Sequence, residues 1–188
     1  MTVDALIEAT ARVLVKDGFD KTSTNRIAER AGVSVGSLYQ YFPGKEALVA
    51  AVAERHSQQL AQVVREALAQ AGALPIDVAV RKLVTAAIDA HRIDPELHRV
   101  LAEQMPRRGG PENAQLLNGD TYALFEAFLE AHRDEFRAVD LELAAFVCVT
   151  SIEALTHTAV VHHSDSLSDE AFERLVDEAT RLIVGYLR

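Results

Sequence analysis

The chain has 188 residues, of which 49% are hydrophobic and 25% charged, and its formal net charge is −9 at pH 7. That length suits one or two compact domains with a substantial core, and the acidic balance argues against nonspecific nucleic-acid binding by the molecule as a whole. A single cysteine excludes an internal disulfide. We find neither a secretory signal nor a charge-free apolar stretch near twenty residues, so we expect a cytoplasmic protein without a membrane span.

The negative charge is unevenly distributed along the chain. Residues 1–48 contain six Lys or Arg and six Asp or Glu residues, whereas residues 49–188 contain thirteen and twenty-two. The second segment therefore carries the whole acidic excess and repels DNA. We expect any DNA contact to come from the neutral first segment, with a modest dependence on salt.

The first predicted helix covers about residues 3–17 and ends at Gly18. Ser23 or Thr24 then caps a second helix, because a hydroxyl oxygen accepts a hydrogen bond from an unpaired amide of the first turn. Gly32 stands where a helix C-cap needs a positive φ, the conformation that glycine tolerates best. The pattern predicts a short helix that ends in a tight turn.

A third, very short helix is predicted from Val35 to Phe42, with Ser34 as its N-cap and with Pro43 and Gly44 as its stop. Two short helices joined by a glycine-containing turn form the helix-turn-helix geometry. In that geometry the second helix enters the major groove of DNA.

The side chains of this short helix suggest separate roles in DNA contact. Ser37 and Gln40 can donate and accept hydrogen bonds, as direct readout of base edges requires. Gly36 gives up about 1 kcal/mol of helix propensity relative to alanine, which makes sense where another backbone approaches closely. The alternative is a plain helical packing unit whose aromatic residues bury against the first helix. Three longer side chains can reach phosphates, which position a protein without reading sequence: Tyr39, Tyr41 and Lys45.

Helix signals continue to the end of the chain. Asp94 with Pro95, Asp140 and Ser168 mark helix starts, and the loop at residues 106–113 is rich in helix breakers. No alternating strand pattern and no internal repeat is found. The sequence therefore predicts an all-α fold of about nine helices, the later ones at residues 45–71, 75–92, from 95, 111–135, 140–162 and 168–187.

The segment GVSVGSLYQYFPGKEAL, preceded by IAERAG and KDGFDKTS, resembles the N-terminal domain of the TetR family of transcriptional regulators, over about Leu6 to Val49. The resemblance implies a three-helix helix-turn-helix DNA-binding domain at residues 1–48 and a helical effector-binding and dimerisation domain at residues 49–188. Val35 departs from the family pattern, because relatives often carry a polar or basic residue there. By position, the resemblance implies DNA contacts at Ser23, Thr24, Asn25, Ser34, Val35, Gly36, Ser37, Tyr39, Gln40, Tyr41 and Lys45.

The last two predicted helices carry more apolar surface than one small core absorbs, and such a face usually meets a partner. In the family that the chain resembles, these helices pack against their symmetry mates, which implies a homodimer. Two recognition helices about one DNA turn apart, roughly 34–36 Å, would read a palindrome. The alternative is an internal helical hairpin in a monomer. The predicted dimer residues are Ile152, Leu155, Phe172, Leu175, Leu182 and Tyr186.

The resemblance also implies a small-molecule pocket in the second domain, between helices 4 to 8, whose ligand shifts the spacing of the DNA-binding heads. Such control requires the ligand to prefer one conformation. Each candidate lining residue could instead have an ordinary packing or surface role. The candidates, chosen for an aromatic or polar tip, are His91, His98, Met105, Tyr122, Phe125, Phe128, Glu153 and His157.

Catalysis is the competing class of function. Seven histidines with serines and acids could supply a nucleophile and a base, but neither a G-x-S-x-G elbow nor a Gly-rich phosphate loop occurs. Glu153 and His157 share a helical face near His162, His163 and Asp165, so a metal site is conceivable, with a solvated helix end as the plainer interpretation. We therefore predict no catalytic residue, no metal and no cofactor. The predicted function is a repressor that releases a palindromic operator when a small-molecule effector binds.

Overall fold

The computed structural model describes residues 2–104, 111–137, 140–163 and 168–188. Within these ranges the backbone forms nine α-helices and one 3-10 helix and contains no strand, which confirms the predicted all-α class. The helices are α1 (Thr2–Lys21), α2 (Thr24–Ala31), α3 (Val35–Tyr39), α4 (Lys45–Ala71), α5 (Ile76–His91), α6 (Pro95–Gln104), α7 (Pro111–Ala131), the 3-10 helix (Arg133–Glu135), α8 (Leu141–His163) and α9 (Asp169–Leu187).

Local capping chemistry sets several helix starts where the sequence predicted them. The hydroxyl oxygens of Ser23, Ser34 and Ser168 each accept a backbone amide of the first turn, at 3.4, 3.0 and 3.3 Å. The carboxylate of Asp140 accepts the Leu143 amide at 3.1 Å. A cap of this kind typically contributes about 1 kcal/mol to helix stability.

Two predicted helix ends are wrong. Helix α3 ends at Tyr39 rather than Phe42, because Phe42 precedes a proline, whose ring disfavours helical backbone at the residue before it. Helix α7 ends at Ala131, and residues 133–135 form a separate 3-10 turn after a non-helical His132. By contrast, Gly18 interrupts α1 with φ 75° and ψ 170°, so the regular part of that helix stops where it was predicted to stop.

The first compact unit comprises Met1–Gln58 together with Glu96–Arg108. Leu6 of α1, Ile27 of α2, Leu38 of α3 and Leu48 of α4 are fully buried in its inner cluster. Four helices therefore share one small core that holds α2 and α3 against α1.

Helix α6 belongs to this first unit. Its Leu97 and Val100 are buried against Leu14 of α1 and Val52 of α4. The division predicted after residue 48 would place α6 with the rest of the chain, whereas its packing places it with the helix-turn-helix. The sequence alone did not predict this packing, because the four side chains come from three segments that lie far apart in the chain.

The second compact unit comprises Gln59–Pro95 together with Gly109–Arg188. Its core is one continuous cluster to which the second half of α4, α5, α7, α8 and α9 contribute. Fully buried members include Val80 on α5, Leu129 on α7, Cys148 on α8 and Ile183 on α9. Burial raises the pKa of the Cys148 thiol to about 12, so the group stays protonated at neutral pH and packs as a small apolar side chain.

Helix α8 is apolar over much of its length. Its segment Leu141–Val161 has a mean hydropathy of 1.6 and, among the described residues, is the one helix long and apolar enough to cross a membrane on those two criteria. The sequence-based expectation overlooked it because Glu142 and Glu153 interrupt the apolar run. Half of the segment is buried within the protein, as in a core helix, which passes the same test.

Side chains from beyond α7 hold the turn between α4 and α5. One ring nitrogen of His132 lies 2.9 Å from the Leu74 carbonyl oxygen, and the other lies 2.8 Å from a carbonyl oxygen of α7. The carboxylate of Glu135 accepts the Ile76 amide at 2.9 Å. Because the N-cap residue of α5, Pro75, provides no side-chain hydrogen bond, Glu135 supplies this cap from another part of the chain.

We expect Glu135→Ala to lower the free energy of unfolding by about 1 kcal/mol, because the Ile76 amide loses its acceptor. Asp134→Ala is the matched control, since Asp134 is an exposed acid in the same 3-10 helix. Denaturant titration followed by circular dichroism measures both variants. Equal losses in the two variants would attribute the effect to general charge rather than to the cap.

Candidate nucleic-acid interface

Helix α3 is five residues long, from Val35 to Tyr39, which is too short for stability in isolation. It is held from the inside by Leu38, which is fully buried beside Ile27 and Leu48. The amide of Phe42 donates to the Leu38 carbonyl oxygen at 3.0 Å and continues the helical hydrogen bonding past the last helical residue. Tertiary packing therefore maintains this helix.

The residues that follow Leu38 face solvent. Tyr39 and Tyr41 are 52% and 51% exposed, and Gln40 between them is also exposed. Because about half of each side chain is exposed, these two tyrosines are not core residues. Val35, in contrast, is half-buried and packs on the inner cluster, so part of its side chain serves the fold.

Hydroxyl groups within the helix-turn-helix already contact one another. The Ser34 and Ser37 hydroxyl oxygens lie 2.8 Å apart, and Ser34 also accepts the Ser37 amide. The Thr24 hydroxyl oxygen lies 3.2 Å from that of Tyr39, which links the start of α2 to the end of α3. These two hydroxyl groups thus lie close together at neighbouring helix ends.

Gly36 is exposed on α3, and no neighbour among the described residues requires a glycine there. A Cβ built at this position would meet only the Ser34 hydroxyl oxygen, at an ordinary 3.8 Å. Its φ is not positive. Glycine destabilises a helix by about 1 kcal/mol relative to alanine. The absence of a side chain at this position is most simply explained by the close approach of another molecule to the backbone.

Lys45 is engaged within the first unit. Its ammonium group donates to the Phe19 carbonyl oxygen at 3.1 Å and stands 4.2 Å from the centre of the Phe19 ring. The first residue of α4 thereby holds the end of α1. The Lys45 ammonium group has three N–H donors, so it can make this internal contact and a phosphate contact at the same time.

The N-terminus of α2 supplies the other predicted contacts. Ser23 caps the helix, and Asn25 on its first turn is exposed. Arg26 is paired with Asp17 at 3.2 Å, so its charge is already balanced. Lys21, two residues before the Ser23 cap, is also exposed.

The residues predicted to line an effector pocket occupy several environments. Phe125 and Phe128 lie in the core of the second unit, with ring centroids 5.5 Å apart. Tyr122 is half-buried, with its hydroxyl 3.3 Å from the Thr150 hydroxyl and its ring 6.0 Å from Phe146. The aromatic candidates thus divide between an inward and an outward side of α7.

Two of the polar candidates lie close together in the second unit. His91 on α5 and His157 on α8 lie near each other, with ring centroids 5.8 Å apart. Glu153 keeps solvent contact, but partial burial of its carboxyl raises its pKa. His98 belongs to the first unit, where its ring nitrogen lies 2.9 Å from one of His56. The predicted Met105 falls outside the described residues.

A groove of about 590 Å³ in the second unit was not predicted. It is open to solvent, lies between the second half of α4 and α5, and is lined by none of the eight candidate residues. Its wall is mainly apolar and includes Val63, Ala67, Leu74, Val78, Lys82 and Ala86.

The predicted dimer residues occupy three environments. Ile152 and Phe172 are buried in the core of their own chain, and Leu182 is 55% exposed. Leu155, Leu175 and Tyr186 are half-buried against that core. Two large apolar residues of α8 that the sequence reasoning did not include, Leu143 and Phe146, are 56% and 54% exposed.

An all-helical chain with a short, outward-facing second helix in an N-terminal helix-turn-helix belongs to the helical class of DNA-binding regulators. Residues 6–52 match the family model for "Bacterial regulatory proteins, tetR family". Residues 75–187 match the model for "Tetracyclin repressor-like, C-terminal domain". The chain is therefore a member of the TetR family of transcriptional regulators, which confirms the resemblance seen in the sequence.

Individual named relatives match part of the chain. The HTH-type transcriptional activator FasR of Mycolicibacterium smegmatis is 43% identical over 63 residues, which cover 34% of this chain and 29% of FasR. The repressor KstR of Mycobacterium tuberculosis is 38% identical over 71 residues, which cover 37% of this chain and 31% of KstR. These matches thus span about a third of either relative.

A solved structure extends the likeness to the whole fold. FadR of Bacillus subtilis, determined in complex with stearoyl-CoA, superposes with a TM-score of 0.74 at 17% identity. The superposition covers 98% of this chain and 99% of FadR. At that identity the likeness concerns the fold alone.

We expect Gly36→Ala to separate stability from DNA affinity. Alanine should stabilise the first unit by up to about 1 kcal/mol, yet weaken DNA binding by roughly tenfold or more, because its methyl group occupies the surface that meets DNA. Gly72→Ala is the control, since a Cβ at Gly72 meets nothing within 4 Å and Gly72 lies outside α3. Thermal melting and fluorescence anisotropy measure the two effects. Unchanged DNA affinity in Gly36→Ala would contradict close approach at this position.

Proposed function

We propose that this chain is a cytoplasmic, homodimeric repressor that binds a palindromic operator and releases it when a small-molecule effector binds the second unit. The observation that carries the proposal is the exposed sequence Tyr39, Gln40 and Tyr41 directly after the fully buried Leu38. Polar groups held outward on a fixed support are what direct readout needs, since a mobile side chain would lose entropy on binding.

The exposed residues divide by chemistry into two kinds of contact. Gln40 offers both a donor and an acceptor and suits a base edge. Tyr39, Tyr41, Thr24 and Lys45 suit phosphates, because their hydroxyl and ammonium groups donate to an anion without reading sequence. On this division, α3 sets the preferred sequence, and the hydroxyl pair at the start of α2 fixes how α3 is placed.

Homodimerisation is supported by the outward residues of α8 and α9. Leu143, Phe146, Thr150 and Ala154 of α8 are exposed at helical spacing and uncharged, and Leu182 of α9 adds a further exposed apolar side chain. Burial of these groups against a second copy would remove apolar area from water. The interface we propose therefore centres on this surface, while Ile152 and Phe172 support it from the core.

Effector control is supported by the named relatives. The FadR structure was determined with stearoyl-CoA, and KstR is named a repressor. FasR is named an activator, so these relatives differ in the direction of control, and repression by this chain is part of our proposal. All three are regulators, and we propose no enzymatic activity for this chain.

Selection of bound duplexes from a random DNA pool tests the proposal directly. We expect the purified full-length protein to enrich a palindrome whose half-sites lie about one helical turn apart, since a twofold dimer presents two copies of α3. No enrichment at low salt would overturn the proposal.

Single substitutions then test the roles of the exposed residues. Gln40→Ala should relax the preference at one base position per half-site, with a cost of about 1–3 kcal/mol for the preferred base. Tyr41→Ala and Lys45→Ala should instead weaken binding to all duplexes alike. Lys45→Ala should also reduce the salt dependence, because it removes a cation. Competition anisotropy with each single-base variant of the selected site measures the profile. A uniform loss in Gln40→Ala would contradict its base-reading role.

Phe146→Glu tests the dimer surface. We expect this variant to be monomeric at concentrations where the unchanged protein is dimeric, because a carboxylate in an apolar interface lacks a partner and costs several kcal/mol. Val78→Glu is the matched control, since Val78 is 49% exposed on α5 and lies outside α8 and α9. Sedimentation equilibrium gives the two masses. A dimeric Phe146→Glu would place the interface elsewhere.

A further inference from the structure

Two histidines of the second unit lie side by side on α5 and α8. His91 is buried, and His157 is half-buried. A ring nitrogen of one lies within 4.8 Å of a ring nitrogen of the other, and the ring planes are inclined at 76°. Both residues stand on long helices, so the backbone fixes the separation of their Cα atoms.

The hydrogen bonding of His91 determines its tautomer. Its Nδ1 lies 2.6 Å from the Ala87 carbonyl oxygen. A carbonyl oxygen only accepts, so Nδ1 carries the proton, and in the neutral ring the lone pair is on Nε2. Metal-binding histidines are commonly oriented in this way, with the second ring nitrogen donating to a backbone carbonyl.

We propose that His91 and His157 bind a divalent first-row transition-metal ion, of which Zn²⁺ is the representative, between α5 and α8. Zinc–nitrogen bonds are about 2.0–2.1 Å long, which places two nitrogens on one tetrahedral ion about 3.3 Å apart. The rings therefore need to approach by at most about 1.5 Å, a change that side-chain rotation of the half-buried His157 supplies. Water or a donor atom of a small molecule completes the coordination.

The surroundings favour a cation of this class. Glu153 lies one helical turn before His157, on the same side of α8. Partial burial raises the pKa of the Glu153 carboxyl, and a nearby divalent ion would offset the cost of its charge. Imidazole ligands select Zn²⁺, Ni²⁺, Co²⁺ or Cu²⁺ over Mg²⁺ and Ca²⁺, which prefer sites built of oxygen atoms alone.

Metal titration of the tag-free, chelator-treated full-length protein tests the site. Zn²⁺ is followed by calorimetry, and Co²⁺ by its visible absorption, which reports the coordination geometry. The variants are His157→Gln and His91→Gln, with Thr158→Ala as the control, because Thr158 is the exposed neighbour of His157 on the same helix. Circular dichroism checks folding, and the half-buried His157 provides the test if the buried His91 cannot be replaced. No DNA is present, so the result is independent of the proposed DNA-binding function.

We expect one ion per chain, with binding at least tenfold weaker in each histidine variant and unchanged in Thr158→Ala. Equal affinity in His157→Gln and in the unchanged chain would assign the ion to other surface histidines and overturn the proposal. The absence of saturable one-to-one binding would overturn it as well.

Discussion

The burial of Leu38 is the constraint on which the proposed DNA interface depends. A helix of five residues does not form enough internal hydrogen bonds to offset the cost of its own nucleation. Full burial of a leucine side chain contributes about 1.5–3 kcal/mol, and the Ser34 cap and the Phe42 amide add hydrogen bonds at either end. Because α3 has no stability of its own, the positions of Tyr39 and Gln40 are determined by the small core beneath them.

The charges of residues 1–48 suit a recognition helix that binds selected sequences better than a surface that binds any DNA. Residues 1–48 have no formal net charge, and part of their positive charge is used internally. Arg26 is paired with Asp17, and Lys45 holds the Phe19 carbonyl oxygen. We therefore expect hydroxyl and amide groups to supply much of the affinity for DNA. A protein of this kind discriminates well because its nonspecific binding is weak.

Sequence reasoning succeeded where the physical cause lies within a few residues and failed where it does not. The Gly32 turn, with φ 70°, and the Asp140 cap are decided by neighbouring atoms, and both were predictable. The Glu135 cap on α5 was not, because its donor lies 59 residues away. The faces of α8 were ambiguous for another reason. That helix is apolar nearly all round, so periodicity could not show that Ile152 points inward and Phe146 outward.

The direction of control is a property in which the named relatives differ. An activator and a repressor each match about a third of this chain, so similarity of that extent does not determine the direction of control. A ligand shifts a conformational equilibrium only through its preference for one state. The direction of control is therefore set by which conformation of the second unit the ligand stabilises. We expect that choice to rest on side chains of the second unit such as His91, Glu153 and His157.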